Sequence, residues 1–591
     1  MPVYKAPNRD FKFLIEDVLN IPQYRNLQGF ADALDMMEPV LDAGAQLCEE
    51  VLFPLNQSGD AEGVKHDKAT GAVTLPKGFK EAYKAFREGG WSAFTCDTKY
   101  GGQGLPEWLY MPVLEMVCSA NLSFGITPGL SHGAYNAIHL HASDVLKDKY
   151  LPKLVSGEWS GVMCLTEPQC GTDLGLIRTK AEPRADGSYA ISGTKIFISS
   201  GDQDVTENIL HLILARLPDA PAGIKGISLF LAPKFMVDDS GKLGAQNGIK
   251  CASIEHKMGI HASPTCVMNY DNAVGWLVGE PHKGMRAMFT MMNAARLYVG
   301  VQGLGLAEVA YQNALAYAKE RLQMRSIKGA KFPDKPADPI IVHPDVRKML
   351  LTSKAFCEGA RALAMETALK LDIAHRSNDK QVKQDADDFV QLMTPIVKAY
   401  LTDGGFDIAN LAVQVHGGYG YVKEYGVEQY VRDARIAQIY EGTNGIQALD
   451  LVGRKLPAHT GRYLRQFFHP VDTFITAHKD SVHMQEFLKP LSKNIGYLQQ
   501  ASLYIARAGL VNPEDGAAAA TDYLRMFALV VMAFYWARMA DAAHKNMDKD
   551  KAFYTDKLAT ARFFYAKILP QVSGLGLTLP SGSKPLMEAV L

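Results

Sequence analysis

Between about residue 160 and residue 278 the chain changes its period, and that change limits what it can fold into. Short apolar runs there are separated by Gly, Pro, Asp and Asn: GVMCLTEP from residue 161, YAISGTKIFISS from 189, ILHLILARL from 209, GISLFLAP from 226 and CVMNYDNAVG from 266. On either side, over 29–52, 78–88, 109–120, 134–154, 304–321, 345–371 and 385–416, apolar residues recur every three or four positions. A two-residue period suits strands and a 3.6-residue period suits helices, so one β-domain, an antiparallel barrel or a sandwich, is expected between helical regions. Gly101, Gly102, Gly104 and Pro106 mark a loop, a Pro- and Lys-rich stretch at 328–339 reads as a surface insertion, and NPEDG at 512–516 reads as a turn between helices. The expected organisation is α+β and multidomain: a helical domain over 1–160, an antiparallel β-domain over 161–280, a helical bundle over 281–451 and a helical extension over 452–591. There is no internal repeat.

Composition excludes several function classes. With 591 residues, 47% hydrophobic and 21% charged, the chain can bury ample core. Its net charge of −1 exerts no global pull on nucleic acid or anionic membrane. Residues 452–591 carry 17 basic against 11 acidic side chains, net +6, which is far from a nucleic-acid-binding stripe. The eight cysteines lack CxxC pairing, so a reducing, cytoplasmic setting without disulfides is expected. The first residues mix acids and bases without an apolar h-region, so no signal peptide is expected. The longest apolar run, residues 526–537, is too short to span a bilayer and reads as a buried helix, so no integral membrane segment is expected. His139, His141 and His343 lack a metal-like spacing with carboxylates, and no metal is expected.

The densest chemistry lies at 413–447, VQVHGGYGYVKEYGVEQYVRDARIAQIYEGTNGIQ. Gly417, Gly418 and Gly420 form a compact turn, which on its own suits a helix–helix connection as well as a ligand. Arg432, Asp433 and Arg435 precede an apolar stretch that runs into Tyr440-Glu441-Gly442-Thr443. A carboxylate between an aromatic residue and a glycine tends toward the raised pKa that a general base needs, although a lone Glu in a loop is often simply solvated.

Three motifs in order resemble the acyl-CoA dehydrogenase family over about residues 30–451: CLTEPQCGTD at 164–173, GTKIFISSG at 193–201, and YEGTNGIQ at 440–447. The resemblance implies FAD as cofactor and Glu441 as the base that removes the α-proton of an acyl-CoA. It implies flavin contacts from Met163, Leu165, Thr166, Phe197 and Ser199, and flavin or CoA phosphate contacts from Gly171 and Thr172. Arg321, Gln414, Gly417 and Gly418 would reach FAD held by a neighbouring subunit, hence a homodimer. Thr443 completes the cofactor turn. Thr172, Asn293, Arg296 and Gly442 would meet substrate.

The resemblance also implies that the thioester oxygen is held by the Glu441 backbone N–H and a flavin hydroxyl, and that electrons leave to an electron-transfer flavoprotein. The family usually has Trp at Phe197, Thr at Ser199, Phe at Met324 and Glu at Gly445; the last two departures weaken only peripheral contacts. Relatives that carry the base near Ala295 are not matched, because Asn293-Ala294-Ala295-Arg296 contains no carboxylate. The opening PVYKAP, the Pro-rich insertion and the C-terminal helices resemble a branch of the family that oxidises a thioether acyl-CoA about as long as a five-atom straight chain. Short to medium acyl-CoAs are the expected substrates. Long-chain dehydrogenases, acyl-CoA oxidases and DNA-associated adaptive-response flavoproteins remain alternatives; the last predicts a more basic tail than this one.

Overall fold

The structure, a computed structural model, describes residues 2–238 and 240–591. Two compact units emerge, and both cut across the order of the chain. One combines the residues up to Ala45, Pro106–Ser119 and Val299–Leu591; the other combines Gln46–Leu105 and Ala120–Tyr298.

In the second unit, seven strands form the β-domain: β1 (Trp159–Cys164), β2 (Lys180–Pro183), β3 (Tyr189–Ser199), β4 (Asn208–Arg216), β5 (Ile227–Pro233), β6 (Ile249–Ile254) and β7 (Thr265–Val278). Pairing runs β6-β7-β3-β2-β4-β1, and β5 bonds to both β7 and β4. The strands β7, β3, β2, β4 and β5 therefore close into a ring, which decides for the barrel over the sandwich. One correction to the antiparallel expectation follows. β1 runs parallel to β4, from Trp159 opposite Asn208 to Cys164 opposite Ile213, and the Lys180–Arg216 bridge of β2 with β4 is parallel too. Parallel neighbours need a crossover, and here residues 165–207 supply it, with two other strands inside. β1 and β4 are buried nearly throughout, and this explains their unalternating apolar runs. The helix Leu122–His141 lies on β1 so closely that a Cβ on Gly161 would sit 2.4 Å from the Ala134 Cβ.

The first unit is helical. Its elements include α1 (Asn8–Phe13), α2 (Glu107–Ala120), α3 (Gly284–Glu320, which starts in the second unit), α4 (Pro344–Arg376), α5 (Lys380–His416), α6 (Val427–Arg435), α7 (Asn444–Asp450), α8 (Gln485–Val511), α9 (Ala520–Lys545) and α10 (Lys551–Phe563). α3 and α5 touch backbone to backbone where Gly303 meets Gly405: a Cβ on Gly405 would lie 2.5 Å from the Gly303 carbonyl oxygen.

Helix α9 contains the apolar run. At 26 residues, with a mean hydropathy of 1.3 over its most apolar 18-residue window, it is long and apolar enough to cross a membrane. Yet 89% of that window is buried within the protein, so α9 is a core helix. Its Trp536 indole donates to the Ala355 carbonyl of α4 at 3.2 Å. Lys557 of α10 pairs with Asp10 of α1 at 2.5 Å and with Glu358 of α4 at 2.8 Å. The C-terminal helices thus share a core and a buried charge network with the bundle.

The insertion at 328–339 is ordered largely by two side chains, one of them Arg325, which donates to the Phe332 carbonyl at 2.9 Å and the Lys335 carbonyl at 2.6 Å. Asp338 is fully buried and accepts from the backbone N–H groups of Ser326 (2.9 Å), Lys331 (3.1 Å) and Phe332 (2.8 Å).

Candidate active site

The expected site residues fall in both units: the two strand motifs and the α3 residues Asn293 and Arg296 in the second, and the Arg321–Gly418 surface and the Glu441 turn in the first. In the second unit the motifs at 164–173 and 193–201 lie side by side. The Ile196 N–H donates to the Thr166 carbonyl at 2.9 Å, and the Lys195 ammonium donates to the Leu165 carbonyl at 2.9 Å and to Glu167 Oε1 at 2.8 Å. Glu167 also accepts from Arg178 N–H (2.7 Å), Thr179 N–H (3.0 Å) and the Thr179 hydroxyl (2.5 Å). Burial alone would raise the Glu167 carboxyl, but Lys195 and these donors outweigh it and hold it at about 2. The ordinary carboxylate value is higher, so Glu167 contributes stability that is full above that range and is lost as pH falls toward about 2.

This pair joins the two motifs, one residue in each. The only signal in the sequence is one acid and one base placed among strand residues.

Above this lacing lie the residues expected to contact the cofactor. Leu165, Thr166 and Ser199 are half-buried, while Gly171 and Thr172 are exposed. Phe197 is 59% exposed, an unusual state for a phenyl group inside a strand. Its φ is +58°, at the point where the β3–β7 register slips between Met268–Lys195 and Cys266–Ile198. A bulge of this kind re-aims a side chain, here turning the ring outward as a flat apolar face. Met163, expected as a flavin contact, is different: only 9% exposed, it belongs to the core cluster. Ser200, also at positive φ, is buried and hydrogen-bonds the Thr127 hydroxyl at 2.7 Å. On α3, Asn293 is half-buried and Arg296 is buried with its guanidinium 5.9 Å from the Phe289 ring centre.

In the first unit, Arg321, Gln414, Gly417 and Gly418 share one surface. The Arg321 guanidinium lies 5.3 Å from the Tyr419 ring centre, and Tyr317 stacks on His416 at 4.3 Å. Gly417 has φ +61°, and a Cβ on it or on Gly418 would meet nothing within 4 Å. The turn follows the C-terminus of α5, the negative end of the helix dipole, so the anion attraction of a helix N-terminus does not operate here. Positive charge comes from Arg321.

Glu441 occupies a left-handed backbone conformation, φ +59°, and Gly442 follows at +85°. Such a geometry is costly for a side-chain-bearing residue and persists where surrounding bonds over-determine it. Here the buried Gln447 amide donates to the Glu441 carbonyl at 3.0 Å and to the Gly442 carbonyl at 3.4 Å. The neighbouring Tyr440 hydroxyl donates to Gln302 of α3, and burial pushes that phenol well up. Thr443 caps α7 by accepting from the Ile446 N–H at 3.4 Å. Glu441 itself is half-buried.

The three histidines are otherwise engaged, His139 with Asp97 (3.2 Å), His141 with Thr290 (2.7 Å) and His343 with the Gln323 carbonyl (2.9 Å). Among the described residues no group of three or more His, Cys, Asp or Glu is placed to hold a metal ion.

In the second unit, an outward phenyl ring and hydroxyls on the same strands suit a flat aromatic group; in the first, taken by itself, a guanidinium beside exposed glycines suits phosphates. Lys195→Met is expected to test the lacing. Because Glu167 keeps four other donors, the Gln169 amide at 2.6 Å among them, the loss should fall near ~3 kcal/mol, the low end for breaking a buried pair. Thermal unfolding and flavin retained through gel filtration measure it; an unshifted melting point with full flavin would refute it.

Four family models cover most of the chain: acyl-CoA dehydrogenase N-terminal domain (residues 61–158), middle domain (162–273) and C-terminal domain (282–456), and acetyl-CoA dehydrogenase C-terminal like (467–589). The chain is 42% identical to 3-methylmercaptopropionyl-CoA dehydrogenase of Ruegeria pomeroyi, over 100% of both chains. It is 36% identical to a butyryl-CoA dehydrogenase of Syntrophomonas wolfei, over 97% of this chain and 96% of that one. Among solved structures, an acyl-CoA dehydrogenase complexed with FAD from Bacillus anthracis shares the fold at TM-score 0.70 and 21% identity, covering 98% of this chain and 92% of that one.

Proposed function

The chain belongs to the acyl-CoA dehydrogenase family, and from that premise we propose that it oxidises short to medium straight acyl-CoA thioesters, including 3-(methylthio)propanoyl-CoA, to the trans-2-enoyl-CoA. The observation that carries this reading is the turn 440–443, which holds a carboxylate in a clamped left-handed geometry. A base fixed in this way loses little entropy when it meets the α-carbon.

Glu441 takes the pro-chiral α-proton onto its carboxylate. Its own backbone N–H donates to the thioester oxygen, stabilising the enolate charge as it develops, an effect worth several kcal/mol when a single such donor is removed. Gly442, with no side chain, leaves that approach open. Bound FAD supplies the acceptor for the hydride that leaves the β-carbon. Leu165, Thr166, Phe197 and Ser199 hold the flavin ring, Gly171 and Thr172 the phosphates, and Asn293 and Arg296 bind substrate. Arg321, Gln414, Gly417, Gly418 and Thr443 serve a flavin shared within a homodimer, and the large apolar side chains of Met324, Ile327 and Tyr421 are exposed. Electrons pass to an electron-transfer flavoprotein, and the enzyme works in the cytoplasm.

Substrate length rests on two relatives whose names specify 3-methylmercaptopropionyl-CoA and butyryl-CoA. Thioether sulfur and a methylene are close in size and both apolar, so a pocket distinguishes them by only about 1–3 kcal/mol. Comparable kcat/KM is therefore expected for the thioether and straight short acyl-CoAs, with weak activity on branched or dicarboxyl chains. A kcat/KM series decides it: an optimum beyond about twelve carbons with a poor thioether substrate would overturn the short-chain reading.

A further inference from the structure

The turn that bears Glu441 is fastened at both ends to a single oxygen atom. Gln438 lies three residues before Glu441 and Asn444 three residues after it. The Gln438 amide donates to Asp403 Oδ1 at 2.8 Å, and the Asn444 amide donates to the same Oδ1 at 2.7 Å. Asp403 sits on α5, a 37-residue helix whose middle is buried, so its carboxylate is referred to a rigid element.

The same face of α5 secures Asn444 further. Lys398, Ala399, Thr402 and Asp403 fall one, four and five positions apart along the helix and project to one side. The Lys398 ammonium donates to Asn444 Oδ1 at 2.8 Å, while the Asn444 amide also reaches the Thr402 hydroxyl at 3.0 Å and the Ala399 carbonyl at 3.2 Å. Gln447 holds the carbonyls inside the turn, but it belongs to the same local segment, residues 438–447. Asp403 is the group that ties both ends of that segment to the helix behind it. With it gone, Gln438 and Asn444 lose a common anchor, and the strained Glu441 backbone can relax toward ordinary φ.

We propose that Asp403 is a positioning residue for proton abstraction: by accepting from Gln438 and Asn444 through one oxygen, it fixes where the Glu441 carboxylate stands. The inference rests on Glu441 being the base. Asp403 acts only through the turn, so its loss affects the chemical step and spares substrate binding. A misplacement of about 1 Å at a reacting group costs about 100-fold in rate.

The test uses full-length, FAD-loaded enzyme and anaerobic stopped-flow reduction by butyryl-CoA, read as a limiting rate and an apparent Kd. Asp403→Ala should lower the limiting rate about 100-fold while the apparent Kd stays within about threefold. Asp403→Asn keeps a planar acceptor of the same size and should recover most of the rate, which a purely structural defect would not do. Gln438→Met removes one fastening without touching Asp403; it should give an intermediate loss and little further loss when combined with Asp403→Ala. If Asp403→Ala does not fold, Gln438→Met decides alone. A wild-type limiting rate in Asp403→Ala, or in Gln438→Met where that variant decides, overturns the inference, as does a loss that Asp403→Asn fails to recover. Glu441→Gln runs alongside: if it still reduces flavin, the base assignment falls, and if it is inert while Asp403→Ala is unimpaired, only the role of Asp403 falls.

Discussion

Glu441→Gln is expected to keep its flavin and to lose substrate-driven flavin reduction, with the limiting rate down by about 10²–10⁴-fold, the range supplied by a positioned general base. The amide has the size and shape of the carboxylate but no basic oxygen for the α-proton. The turn should survive the change, because its restraints come from elsewhere: Gln447 on the carbonyls of 441 and 442, Tyr440 on Gln302, and Thr443 at the start of α7. No carboxylate stands at 293–296 to take over, since that stretch reads Asn-Ala-Ala-Arg. Anaerobic bleaching is the measurement, with an unchanged melting point and flavin content as controls. Bleaching within tenfold of wild type would remove Glu441 from the mechanism.

The parts of this site that were legible in the sequence are the ones encoded over short spans. Periodicity separated strands from helices, because each period is a property of ten or so consecutive residues. YEGT announced a carboxylate in a turn for the same reason. Ring closure of the barrel was not legible, since it depends on β5 meeting both β7 and β4, a pairing with no local signature. The parallel placement of β1 against β4 was hidden likewise behind a crossover of some forty residues.

The Lys195–Glu167 pair is not legible in the sequence, because residues 28 positions apart become partners only when two strands are laid side by side. Phe197 could be read as core or as flavin contact until its positive φ and its exposure showed a ring turned outward. Asp403 and Asn444, 41 residues apart, and the buried Asp338 belong to the same class. Their chemistry is tertiary, and an acidic residue in an amphipathic helix or a loop reads as solvated surface until its partners are placed.

Arg361→Met is expected to destabilise the enzyme by about 3–5 kcal/mol near pH 8, the cost of leaving buried charges unpaired. Arg361 of α4 is 1% exposed. It donates to Glu115 of α2 through Nε at 2.9 Å and Nη2 at 2.5 Å, and to Glu308 of α3 through Nη2 at 2.7 Å, with Asp10 of α1 3.6 Å from Nη1. Four helices therefore converge on one guanidinium, and α10 joins them through Lys557 on Asp10 and Glu358. Without Arg361, three carboxylates lose their shared cation.

Even with the arginine present, burial pushes Glu115 up to about 7, against the lowering effect of Arg361. A carboxyl whose folded value is raised stabilises fully below its unfolded value and loses that contribution as pH rises through the folded one. Removing the cation raises Glu115 further, so at pH 6 the variant can protonate the residue and escape part of the penalty. The destabilisation should therefore be clearly smaller at pH 6 than at pH 8. Adding Glu115→Leu to Arg361→Met should recover part of the stability at pH 8, because it replaces one of the three buried charges by apolar volume while Glu308 and Asp10 remain. Denaturant midpoints at the two pH values measure all of this, and kcat per bound flavin should stay unchanged, since none of these groups belongs to the turn at 440–443. A loss below about 1 kcal/mol at pH 8, or a larger one at pH 6, would show that the network does not carry charge as described.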